Sequence, residues 1–129
     1  MRFLAKAGDL EARARKMLDV GLAEDAGREA YLAGFHAAQA LVFERTGKPA
    51  RTHKGVHAEF QRLTQKNDRF DVHLRSFLSV AYNLKSIADY ETGPGSPISF
   101  GRAAAAVEEA GRFLAQVRAV IESGSPEPR

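Results

Sequence analysis

Small or apolar residues recur near the start of the chain at alternating spacings of four and three, at Phe3, Ala7, Leu10, Ala14, Met17 and Gly21, which marks one face of a first helix. Gly21 helps to end it. The next pattern, from about Ala23 to Arg45, places Tyr31, Leu32, Phe35, Ala38, Val42 and Phe43 on a broad buried arc. Gly47-Lys48-Pro49 stops this second helix. Its small residues Gly34, Ala37, Ala38 and Ala40 leave it slim, so a neighbour can approach closely. A third helix, capped by Thr52, runs from His53 to about Gln65 with the stripe Val56, Phe60 and Leu63. The polar stretch Lys66-Asn67-Asp68-Arg69 turns the chain into a fourth, from about Phe70 to Tyr90, with Leu74, Phe77, Leu78, Ala81, Leu84 and Ala88 on its inner face. Two prolines and two glycines between Gly93 and Pro97 forbid further helix. Ser99 caps a fifth helix, whose stripe is Ala103, Val107, Ala110, Leu114, Val117 and Ile121.

No segment alternates apolar and polar residues, so no sheet is expected. The reading is all-α: a five-helix up-and-down antiparallel bundle, a four-helix core plus an extra helix. One domain over residues 1–122 and a polar tail over 123–129 account for the 129 residues, enough for a single core. With 44% hydrophobic and 27% charged residues, the composition is that of an ordinary globular domain. No apolar run approaches the roughly 20 residues of a membrane span, and the N-terminus turns polar at once, so a cytoplasmic location and no membrane partner are expected. The absence of cysteine excludes disulfides, thiolate chemistry and cysteine-ligated zinc. A net charge of +3, with 19 basic residues interspersed among 16 acidic ones, does not suggest an extended duplex-DNA footprint, although Lys48, Arg51 and Lys54 form a local patch able to hold a few phosphates.

The segment Arg51-Thr52-His53-Lys54-Gly55-Val56-His57 concentrates the candidate chemistry. In a helix beginning at His53, the two imidazoles are one turn apart and face the same way. Arg51 then precedes the helix, where its guanidinium and the free amides of the first turn can meet an anion. The competing reading is packing: His53 falls close to the centre of the Val56, Phe60 and Leu63 stripe and His57 on its border, and either ring can be a core group with one hydrogen-bonded nitrogen. Metal binding is not expected, because only Glu59 is near as a third ligand and Lys54 occupies the position after the first His. On the fourth helix Lys85 projects inside the apolar arc, with Asp89 and Tyr82 at its edge. A buried ammonium needs a carboxylate, an anion, or a stem that reaches water. Asp89, one turn on, is the nearest partner, and an ordinary surface ion pair is the alternative. Tyr90 reads as an aromatic at a helix end.

These pieces in this order resemble the HEPN domain, specifically its small stand-alone bacterial and archaeal branch. The resemblance covers about Ala5 to Ile121. It is carried by Tyr31-Leu32-Ala33-Gly34-Phe35-His36-Ala37-Ala38-Gln39-Ala40-Leu41, by Arg51 to His57 with Phe60, and by Ala88-Asp89-Tyr90. It implies a helical bundle, often a homodimer, that interacts with RNA or nucleotide and is frequently paired with a minimal nucleotidyltransferase in a toxin–antitoxin or defence module. Active members of the superfamily resemble metal-independent endoribonucleases. By residue type, Arg51, Thr52 and His57 fit the family's order of arginine, polar residue and histidine, although active branches carry that motif on a later helix. Its counterpart here, Asn83 to Tyr90, has no histidine, and Lys85 stands where this branch often has arginine. The site expected is therefore Arg51, His53 and His57 for catalysis, and Arg51, Thr52, Lys54, Lys85, Asp89 and Tyr90 for phosphate or nucleotide, without metal or cofactor. The rival readings are a nucleotide- or partner-binding module without turnover, and a bundle that only mediates interaction.

Overall fold

The computed structural model describes residues 2–90 and 98–123, the side chains of 88–90 excepted. Five helices follow in order: α1 Arg2–Asp19, α2 Ala23–Thr46, α3 His53–Thr64, α4 Val72–Tyr90 and α5 Phe100–Glu122. Helix α2 contacts all four others, α5 packs on α1, α2 and α4, and the short α3 lies against α2 and α4. The four long helices thus form the core of the bundle, with α3 as the extra element. A main core gathers Tyr31, Phe60, Phe70, Phe77, Phe113 and Val117. A smaller one, of Leu84, Ile98 and Ala103 with Leu18, Ala23 and Ile87, closes the end where the α1–α2 turn meets the end of α4 and the start of α5.

Local chemistry sets the helix ends. Gly47 adopts φ 75°, and its amide donates to the Phe43 carbonyl at 2.8 Å, a left-handed ending that favours glycine. The Thr52 and Ser99 hydroxyls accept from the Gly55 and Arg102 amides. Before α4, the Asp71 carboxylate accepts from the Leu74 amide at 2.8 Å. The helix therefore begins at Val72, later than the expected Phe70, which is buried ahead of it as a core residue. Helix α2 runs one residue past Arg45, and α3 stops at Thr64, one before Gln65.

The fifth helix buries more than a single stripe. Phe113 and Val120 are core residues beside Leu114 and Val117, whereas Ile121 is only partly buried, because α5 lies in the angle between several neighbours and needs a wide apolar face. The slim side of α2 receives α4. An added β-carbon at Gly34 would lie 2.3 Å from Cε2 of Phe77, and one at Gly27 would lie 3.1 Å from Cδ2 of Leu84. This close approach brings the outer face of α4 over α3.

Candidate functional site

Tyr31 enters the site from the core. Its position on the buried arc of α2 leaves it with no exposed surface, and a buried phenol requires hydrogen-bond partners. Helix α3 supplies them. The Tyr31 hydroxyl lies 2.6 Å from Nδ1 of His53 and 3.0 Å from Nε2 of His57. Because α3 starts at a Thr52 cap, the two rings sit one turn apart on the face turned to α2. From α4, Tyr82 lies over the group, its ring centroid 5.3 Å from Tyr31, 5.4 Å from His53 and 5.8 Å from His57. Phe35 closes the opposite flank, 4.8 Å from His53. Three helices thus build one ring cluster around a single phenol oxygen.

The cluster has a wet edge. His53 is exposed, His57 is partly buried, and Tyr82 keeps 36% of its surface. Neither Nε2 of His53 nor Nδ1 of His57 has a hydrogen-bond partner among the described residues. The site therefore offers two imidazole nitrogens beside an aromatic face, with Lys85 near enough to act on His53 electrostatically.

The HEPN domain family model matches residues 1–124. The chain belongs to that family. No curated protein matches it. Family membership points to an RNA-related or nuclease-like role for this HEPN protein.

The HEPN chain brings some of the expected residues together and leaves others apart. His53 and His57 meet at Tyr31, with Lys85 close enough to act on His53 electrostatically, whereas Arg51 and Lys54 are exposed and have no side-chain hydrogen bond or ion pair among the described residues. Thr52 spends its oxygen on the Gly55 amide at 2.9 Å, so fewer amides of the first turn are free than the sequence suggested, though its O–H can still donate. His53 is exposed even though it falls near the centre of the α3 stripe. It occupies the first turn, where the core ends and only rings flank it. The Asp89 and Tyr90 side chains lie outside the described residues, as does any pairing of Lys85 with Asp89. Glu59, the carboxylate nearest in sequence, is bonded to Arg62 at 2.7 Å.

The parts that sequence reasoning missed are Tyr31, read only as core, and Gln39. The Gln39 amide is buried; its Nε2 donates to the Ala50 carbonyl at 2.8 Å, and its Oε1 lies 2.6 Å from Nδ1 of His36. With Nε2 used as donor, Oε1 must accept from a His36 Nδ1–H. This link ties the strand of loop ahead of Arg51 to α2. Both residues carried a signal, since a tyrosine or glutamine on an apolar arc has polar atoms that need partners. A separate groove of about 350 Å³ lies between α4 and α5 and shares no residue with the cluster.

Burial and charge act alike on the histidines. Desolvation lowers the pKa of His53, with Lys85 adding to the effect; desolvation and then His53 lower that of His57; and desolvation, only partly opposed by the Gln39 bond, lowers that of His36. Tyr31 is pushed above its ordinary range by burial and by Tyr82, so it keeps its proton. A group whose folded pKa is depressed binds fewer protons in the native state than in the unfolded chain. For histidine, this makes stability greatest above the unfolded pKa of about 6.5 and smaller as pH falls through and below it. Urea midpoints are expected to fall between about pH 7.5 and pH 5, and His53→Gln with His57→Gln should flatten that slope. A slope unchanged in the double variant would show that these rings are not its source.

Proposed function

We propose that this HEPN protein binds single-stranded RNA at the Tyr31 cluster and cleaves it without metal. The observation that carries the reading is the pair of solvent-reached imidazoles held on one phenol oxygen beneath Tyr82. Histidine titrates near neutrality and suits both proton removal and proton delivery. One imidazole draws the proton from a ribose 2′-hydroxyl, which attacks the adjacent phosphorus, and the other protonates the departing 5′ oxygen. Tyr82 offers a ring on which a base can stack. Lys85, with Arg51 and Lys54 reaching in from the exposed start of α3, stabilises charge on the pentacoordinate phosphate. The setting implied by the resemblance, a homodimer in a toxin–antitoxin or defence module with a nucleotidyltransferase-type partner, belongs to the same proposal.

The test is cleavage of single-stranded RNA in chelator by the wild type, His57→Ala and Arg51→Ala. The wild type is expected to leave 2′,3′-cyclic phosphate and 5′-hydroxyl ends, and His57→Ala to lose on the order of 10²-fold or more. Equal rates in all three would remove the mechanism. The second reading, a nucleotide-binding module, is favoured by the missing histidine in Asn83 to Tyr90. Calorimetric binding of mononucleotides with no RNA turnover would select it.

A further inference from the structure

A phenol oxygen has one proton to donate and lone pairs to accept with. The two nitrogens that meet Tyr31 come from different ring positions, Nδ1 of His53 and Nε2 of His57, and this asymmetry has a chemical consequence. If both nitrogens were bare, Tyr31 could donate to only one, and the other contact would set lone pair against lone pair. If both carried protons, the Tyr31 O–H would need a third partner inside the core, and it has none among the described residues. In the neutral cluster, one nitrogen must therefore accept from Tyr31 while the other donates to it.

We propose that Tyr31 is a proton relay that locks His53 and His57 into the same tautomer, leaving one bare nitrogen and one N–H toward solvent. When Tyr31 donates to His53, both rings carry hydrogen on Nε2, so His57 Nδ1 is bare and His53 Nε2–H is a donor. When His53 donates to Tyr31, both carry hydrogen on Nδ1, and the roles exchange. The site always holds one base and one acid. Among the described residues, the other charged or titratable groups around it are Tyr82 and Lys85 from α4 and, on the approach to and first turn of α3, Arg51 and Lys54; Phe35 on α2 is apolar. Lys85 and the mutual repulsion of the rings oppose a second added proton.

The relay deepens the RNA reading and rests on it for its catalytic use. Starting with both hydrogens on Nδ1, His53 Nε2 takes the 2′-hydroxyl proton as the 2′ oxygen bonds to phosphorus. The bond from phosphorus to the 5′ oxygen breaks, and that oxygen takes the proton from His57 Nδ1. The His53 Nδ1 proton passes to Tyr31, whose own proton passes to His57 Nε2. No net charge accumulates on the three side chains, and both rings end with hydrogen on Nε2. Hydrolysis of the cyclic phosphate needs the reverse roles, with His57 activating water and His53 protonating the 2′ oxygen, and it returns the cluster to its starting state. Tyr31 is a positioning and relay residue; it does not ionise.

The experiment is histidine side-chain two-bond ¹H–¹⁵N correlation on the full ¹⁵N-labelled chain, above the pH at which the rings titrate. His53 and His57 are expected in matching tautomers, or in one shared ratio of the two forms. Opposite tautomers in the wild type would overturn the relay whether or not RNA is cleaved. Tyr31→Phe, which keeps the ring, should let the tautomers vary independently and lower cleavage on the order of 10²-fold while KM holds. Matching tautomers that persist in Tyr31→Phe would also overturn it. Matching tautomers in a wild type that cleaves no RNA would leave the coupling standing and remove the ribonuclease reading.

Discussion

Phe113→Ala is expected to remove about 3–5 kcal/mol of stability, lowering the melting temperature on the order of 10–20 °C for a chain of this size. Phe113 is fully buried on α5, its ring centroid 5.1 Å from those of both Phe60 and Phe77. Phe60 in turn meets Phe70 edge-on at 5.5 Å. One side chain therefore joins α3, α4 and α5 and, through Phe60, the turn before α4. Removing it forfeits hydrophobic burial and leaves a void that neighbours on three elements cannot close together. Thermal unfolding and urea titration measure the loss; a change below about 1 kcal/mol would mean that the bundle collapses freely around the gap.

Gly34→Ala comes second, with roughly 1–3 kcal/mol lost to overpacking despite a helix-propensity gain of about 1 kcal/mol. The new methyl group would meet the Phe77 ring at 2.3 Å. Phe77 cannot yield easily, because its ring lies against Phe113. Relief comes from a shift of α4 away from α2, which also carries Tyr82 and Lys85 off the His53 and His57 pair. The urea midpoint should fall, and the RNA binding proposed above should weaken more than it does in a variant of equal stability far from α4. An unchanged midpoint would mean that the contact between the helices is slack.

The bundle was legible because its physics is local and periodic. The spacings at Ala7, Leu10 and Ala14, or at Val107, Ala110 and Val117, place these residues in the core, since a helix repeats every 3.6 residues whatever its neighbours. The caps at Thr52 and Ser99 were equally readable, being interactions three residues long. Phe113 lies outside the stripe expected for the fifth helix and Phe70 was expected only as a helix start, yet both are buried, for a common reason. Whether a ring beside a stripe is buried depends on how many helices meet there.

The site divides along the same line. From the sequence alone came two imidazoles one turn apart, with cations beside them. It did not indicate that Tyr31, 22 residues before His53, would stand between the rings. Helix pairing brought α2 under α3, and the slim face at Gly34 let α4 carry Tyr82 across the top. Periodicity determined which faces are apolar and where each helix begins and ends. Only tertiary packing decided which polar atoms meet, because hydrogen bonds between helices depend on interaxial distance and register, which no run of neighbouring residues encodes.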